Sequence, residues 1–246
     1  MKKIILTFLL CVNIVLLKAQ VETYSNYPFN GNNYNVFVVK MDGEALKKFD
    51  ILQNDSIIPH QEFLSNLLNS DPSFFLINAC ISDTICRPIG YYSKNSKQIQ
   101  ATNMTDGNGN FYLKPNGALL FTTDDVILCE SSLIGNYQNV RLGIQSGPML
   151  LNNGAVNPQF NQNSVNKNIR CGVGLFANGK GEKFLAFCIS NDPVSFYDFA
   201  VFFNKKFKCS NALCLESVGC SMYFPNQANP NEKFNGTICN YIYFKL

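Results

Sequence analysis

Leu213-Cys214-Leu215-Glu216 sets an apolar run, which reads as a buried strand, against a carboxylate at its end, and the small-residue loop Ser217-Val218-Gly219-Cys220-Ser221 follows. A carboxylate at such a position can stabilise a cationic centre or activate water; it can also be an ordinary charge where a strand reaches solvent. His60 is the single histidine of the chain. A Ser/His/Asp or Cys/His mechanism would have to recruit it from the first turn of a surface helix, so we expect a solvent-facing or capping role instead. Histidine-based metal clusters are excluded by the count, and no Walker or GxGxxG sequence occurs. Carboxylates, amides and a few cations remain. Acetal cleavage uses these groups: one carboxylate stabilises or traps an oxocarbenium-like centre, and an acid is needed only if the leaving group must be protonated. A phosphate leaves as a stable anion, so an arginine matters more than an acid there. No cofactor and no metal are expected.

Short runs rich in β-branched and aromatic residues, separated by Asn and Gly, must hold these groups in place. They predict strands at Tyr34 to Lys40, Phe74 to Asn78, Gly117 to Thr122, Val126 to Cys129, Arg141 to Ile144, Gly172 to Phe176, Phe184 to Ile189 and Tyr241 to Phe244. Two helices are expected. One runs from about Pro59 to Leu68, with Phe63, Leu64, Leu67 and Leu68 on one face. The other spans residues 193 to 209, where Ser195 and Asp198 have the spacing of a capping box and Phe196, Phe199, Ala200, Phe203 and Phe207 recur at helical intervals. The order FLAFCIS, helix, NALCLE predicts two neighbouring parallel strands with Glu216 at the end of the second. Many strands with few helices predict an α+β fold: one strand-rich domain with mixed sheets.

The first nineteen residues, MKKIILTFLLCVNIVLLKA, join two lysines to an apolar run too short for a membrane span, the pattern of a secretory signal peptide. An exported chain with a mature domain of residues 20–246 is expected, without a membrane span. Net charge is +3 and the basic residues are scattered, so no nucleic-acid partner is expected. Cys80, Cys86, Cys129, Cys171, Cys188, Cys209, Cys214, Cys220 and Cys239 follow the leader. Oxidising conditions predict that several of them pair, an odd count leaving at least one thiol unpaired within the chain. Cys209, Cys214, Cys220 and Cys239 lack the two-residue gap typical of structural zinc, and disulfides or buried apolar thiols explain them better. Asn54, Asn103 and Asn235 stand in Asn-x-Ser/Thr sequences.

Six ordered segments carry a resemblance: FLINACISDTICRPIGYY from Phe75, GNFYLKPNGA from Gly109, QSGPM from Gln145, IRCGVG from Ile169, SNDPVSFYDFA from Ser190 and NALCLESVGCSMY from Asn211. In order and spacing the chain resembles the phosphodiester glycosidase family from about Tyr34 to Pro225. The resemblance implies a hydrolase acting on a sugar phosphodiester with an N-acetylglucosamine-like sugar, and so a carbohydrate or sugar-phosphate partner.

It also implies roles, residue by residue. Asn78 matches the family's Asn-Ala/Gly-Gly element and would hydrogen bond to substrate. Arg170, before the Gly-Val-Gly strand, would clamp phosphate or sugar hydroxyls through its fork of donors. Gln145, Ser146 and Gly147 form a polar turn that would line the pocket, joined by Lys114 and Asn116, although LKPNGA also reads as a plain hairpin turn. Asp192 would hold substrate or favour the positive end of the following helix, and Asp198 reads as its cap. Glu216, with Asp192 as a second catalytic carboxylate, would stabilise the anomeric centre or activate water. The resemblance thus implies that Asn78, Arg170, Asp192 and Glu216 converge. The family writes Leu-Asp-Gly where this chain has Leu215-Glu216-Ser217. The extra methylene moves the carboxylate by about a bond length, and a misplacement near 1 Å costs on the order of a hundredfold in rate. A non-catalytic glycan-binding descendant of the same fold is therefore the alternative, and a disulfide-stapled adhesion protein a third reading.

Overall fold

In a computed structural model of the chain, residues 21–216, 219–227, 234 and 236–246 are described. The expected leader lies outside the described residues, as do Ser217, Val218 and Asn235. The fold is α+β. Among the described residues the strands form three sheets, and every strand pair is antiparallel.

The seven-stranded sheet runs in space Val21–Phe29, Asn32–Lys40, Lys183–Ser190, Cys171–Ala177, Asn211–Glu216, Met149–Asn152, Ala155–Val156. A four-stranded sheet orders Met222–Tyr223, Phe74–Asn78, Asn240–Lys245, Phe49–Gln53, and a five-stranded sheet orders Lys97–Gln100, Tyr92–Lys94, Leu142–Ser146, Gly117–Phe121, Val126–Glu130. Lys183–Ser190 and Asn211–Glu216 point the same way, as their order along the chain suggested, but they are not neighbours. Cys171–Ala177 lies between them and is antiparallel to both. The helix crossover thus skips one strand position, which a run of sequence cannot reveal because the inserted strand precedes both.

The strands of the seven-stranded sheet read as unbroken apolar runs because both faces are covered. On one face Phe37, Val39, Leu185 and Phe187 meet Phe75 and Phe244 of the four-stranded sheet and Leu119 and Phe121 of the five-stranded sheet. Phe37 stacks on Phe75 at 4.0 Å. On the other face Val36, Val38, Ala186 and Cys188 pack under the helix Phe196–Phe202, whose Phe199, Ala200 and Phe202 are fully buried. That helix starts as its spacing predicts. Ser195 Oγ accepts from the Asp198 N–H at 3.0 Å, and Asp198 Oδ2 accepts from the Ser195 N–H at 3.3 Å and its hydroxyl at 2.8 Å. It then widens into a π turn, Phe203–Phe207, and stops at Lys208, whose φ is 54°.

The helix His60–Ser70 lays Phe63, Leu64, Leu67 and Leu68 against Phe74, Leu76 and Tyr241, the expected face. His60 is a correction to the sequence reading: it is 2% exposed, neither solvent-facing nor capping. The helix lies flat on the outer side of the four-stranded sheet, so its first turn is covered by Tyr241 and Ser221.

One disulfide joins Cys86 to Cys239. The other seven cysteines after the leader are free thiols, all buried, where the sequence had suggested several pairs. Most sit on the apolar faces of the sheets and act as small hydrophobic residues. Cys239 is consumed by its bridge, which dissolves the conceivable four-cysteine zinc set. Asn54 is buried with its amide bound to Ile58 and Ile238, so its Asn-x-Ser sequence is not displayed for modification.

Candidate active site

Glu216 ends its strand beside a pocket of about 170 Å³ lined by Asn78, Cys80, Ser82, Asp83, Gly219 and Cys239, together with Thr237, Ile238 and Glu216 itself. Three pieces of chain meet there. Asn78 ends the Phe74–Asn78 strand, and Ser82 and Asp83 belong to the loop after it. Glu216 ends the NALCLE strand, Gly219 follows it in the chain, and residues 237–239 lead into the last strand. The Cys86–Cys239 bridge ties the first piece to the third.

Asn78 is buried and fixed from both ends of its amide. Its Oδ1 accepts from the Ser221 N–H at 2.7 Å, and its Nδ2 donates to Gly219 O at 3.2 Å. Of its two N–H groups, one is therefore committed to the backbone of Gly219. Ser221 in turn places its hydroxyl 2.7 Å from His60 Nε2, and Tyr241 Oη lies 2.9 Å from His60 Nδ1. Burial pushes the His60 pKa down to about 4, so the ring is neutral at pH 7. This chain of neutral groups holds Ser221 from behind.

Burial and the nearby Glu216 charge push the Cys80 thiol up to about 12. Asp83 supplies a second carboxylate at the pocket, one that the sequence reading passed over although it lies in a quoted segment. The backbone N–H of Arg87, together with the Arg87 side chain and the Ile85 N–H, lowers its pKa. Its Oδ1 accepts from the N–H groups of Ile85 and Arg87 at 3.0 and 2.9 Å, and its Oδ2 from Arg87 Nε at 2.9 Å. The Asp-x-x-x-Arg spacing was the available signal, since it places both partners across one turn. An Asp held ionised in this way is a poor proton donor at neutral pH.

The other residues implied by the family resemblance occupy several places. Arg170 comes to the same end of the seven-stranded sheet as Glu216, because Cys171 pairs directly with Glu216. Its side chain turns toward the helix: Nε donates to Val194 O at 2.9 Å, Nη2 to Asn166 O at 3.2 Å, and its Cζ lies 3.6 Å from the centre of the Phe196 ring. Asn166 and Phe196 line a different hollow, of about 210 Å³. Arg170 is 1% exposed, and among the described residues its Nη1 has no hydrogen-bond partner. Desolvation lowers its pKa, against the opposing effect of the nearby Cys214 and Cys220, and a guanidinium stays charged nonetheless.

Asp192 accepts at Oδ2 from the Asn33 N–H at 2.7 Å and from Asn33 Nδ2 at 3.2 Å, tying two strand ends together rather than lining the pocket. Gln145 is wholly buried; its Oε1 accepts from the N–H groups of Tyr91 and Asn103 at 2.9 Å each, and its Nε2 donates to Asn103 O at 2.7 Å. Ser146 Oγ donates to Leu215 O at 2.9 Å, which fixes the strand just before Glu216. Lys114 Nζ donates to Thr105 O at 2.9 Å. Among the described residues, no group of histidine, cysteine and carboxylate side chains is disposed to hold a metal ion.

A structure of the catalytic domain of zebrafish N-acetylglucosamine-1-phosphodiester alpha-N-acetylglucosaminidase, auto-inhibited by its pro-peptide, superposes with a TM-score of 0.63 and 12% identity, covering 94% of this chain and 85% of that one. A crystal structure of a hypothetical protein from Synechocystis superposes with a TM-score of 0.55 and 11% identity, covering 89% of this chain and 61% of that one. These likenesses establish a shared fold. The uncharacterized protein YigE of Escherichia coli strain K12 is 31% identical over 158 residues, 64% of this chain and 61% of the relative's own length. The model of the phosphodiester glycosidase family matches residues 74–243, well over half of the sequence, and the chain belongs to that family.

Proposed function

We propose that this chain is an exported hydrolase that cleaves the bond between a sugar, of N-acetylglucosamine type, and the phosphate of a phosphodiester. The observation that carries the reading is the meeting of Asn78 and Glu216 in one polar pocket, in a member of this family. Glu216, at the open end of a rigid buried strand, stabilises positive charge at the anomeric carbon or activates the attacking water. Asn78, held in one orientation by Ser221 and Gly219, orients a sugar hydroxyl. Asp83 favours the same cationic centre, and its ionised state suits a leaving group that needs no proton, such as phosphate. Arg170 acts as a buried cation at the same sheet end, whose field favours the departing anion. Ser146 supports the site by holding Leu215 O next to Glu216, while Asp192, Gln145 and Lys114 brace chain outside the pocket lining. The Cys86–Cys239 bridge is compatible with export.

The test is release of N-acetylglucosamine from synthetic N-acetylglucosamine phosphodiesters by the purified chain, with Glu216→Ala beside it. Release that falls at least a hundredfold in the variant supports the reading. Equal release by both would remove Glu216 from the chemistry. Sugar binding without turnover in a folded, oxidised preparation would favour the glycan-binding alternative instead.

A further inference from the structure

The strand end that carries Glu216 gathers three thiols around one carbonyl. The sulfurs of Cys214, Cys220 and Cys171 lie 3.2, 3.3 and 3.8 Å from Glu216 O. Two of the three belong together. Cys171 and Cys220 sit in the same apolar cluster, whereas Cys214 packs into the cluster under the helix. The backbone brings this about: Cys171 stands directly across from Glu216 in the antiparallel ladder, and Gly219, at φ +75°, turns the chain so that Cys220 returns to the same place.

We propose that Cys171 and Cys220 are an oxidation site that forms a second disulfide, stapling the Gly219–Cys220 segment to the Cys171–Ala177 strand. Gly219, next to Cys220, lines the candidate pocket, as does Cys239 of the existing bridge. Both bridges then fix pieces of chain that build the pocket. The bond forms by exchange with an external disulfide, either oxidised glutathione or the disulfide of a thiol oxidase. The Cys220 thiolate attacks one external sulfur and expels the other as a thiol. The Cys171 thiolate then displaces the second, so that two protein S–H bonds are replaced by one S–S bond and the oxidant leaves as two thiols. Cys220 is the better first nucleophile on access, being 5% exposed against 0% for Cys171. Burial holds the Cys171 thiol well above its ordinary pKa, which slows attack in the folded protein and places closure during folding. The pairing does not depend on what the pocket binds.

The experiment refolds the full chain in a glutathione redox buffer, traps free thiols with N-ethylmaleimide in denaturant, and maps the linked peptides by mass spectrometry. The expected result is Cys86 linked to Cys239 and Cys171 linked to Cys220, with Cys11, Cys80, Cys129, Cys188, Cys209 and Cys214 alkylated. Cys171 and Cys220 both alkylated in molecules that carry the Cys86–Cys239 bridge would overturn the proposal, since that bridge reports oxidising conditions. Cys220 linked to Cys80 or Cys214 would overturn it too. In Cys171→Ser, Cys220 becomes alkylated while the Cys86–Cys239 bridge is retained.

Discussion

Lowering the pH from 7.5 to 5 destabilises this protein through its one histidine. His60 is buried between Tyr241 and Ser221, two hydroxyls that can accept from an imidazolium as readily as they pair with the neutral ring. Hydrogen bonding therefore does not oppose protonation; loss of solvation does, and it takes the folded pKa from 6.5 to about 4. The unfolded chain binds a proton near pH 6.5 and the folded one only near pH 4, so the stabilisation is complete above 6.5 and is lost as pH falls toward 4. A shift of this size corresponds to about 3 kcal/mol in full, of which about 2 kcal/mol is gone by pH 5. The assay is urea unfolding at pH 7.5, 6 and 5 for the native chain and for His60→Gln. The variant is less stable at pH 7.5, and its deficit shrinks by about 2 kcal/mol at pH 5, because only the native chain loses the histidine contribution. Asp83 and Glu182, whose pKa values hydrogen bonds lower, titrate alike in both proteins and cancel. With one histidine in the sequence, the imidazole proton signals of the untagged chain are unambiguous. Parallel stability curves, or a ring that titrates near 6.5 in the folded protein, would refute the reasoning.

Ser195→Ala removes one half of the reciprocal cap that starts the Phe196–Phe202 helix and should lower stability by about 1 kcal/mol in a urea titration, with Ser195→Asp losing less. Gly172→Ala places a methyl 2.7 Å from Leu213 O and 3.1 Å from Phe199, against backbone on one side and a fully buried ring on the other. Its expected cost is about 1–3 kcal/mol, read as a lower urea midpoint with an unchanged slope.

The sequence by itself determined the local elements and the family. Unbroken runs such as YNVFVVK and FFLIN read as strands because both faces of those sheets are covered, and the six ordered segments fixed the family that the comparisons bear out. The Ser195–Asp198 cap was legible for the same reason: it is a contact between residues three apart, whose chemistry needs no distant partner. Tertiary structure decided everything that depends on distant chain. Cys171–Ala177 inserts between two strands that follow it in sequence, so adjacency could not be inferred from order. His60 looks like a surface residue of an amphipathic helix until Tyr241 and Ser221, more than 160 residues away, close over it. Gln145 and Ser146 have the polarity of pocket residues, yet their side chains serve backbone groups at Tyr91, Asn103 and Leu215. Asp83 and Cys239 come to Glu216 only because a disulfide and two strand ends converge there. A sequence records which side chains can do chemistry; burial and long-range contact decide which of them face a substrate.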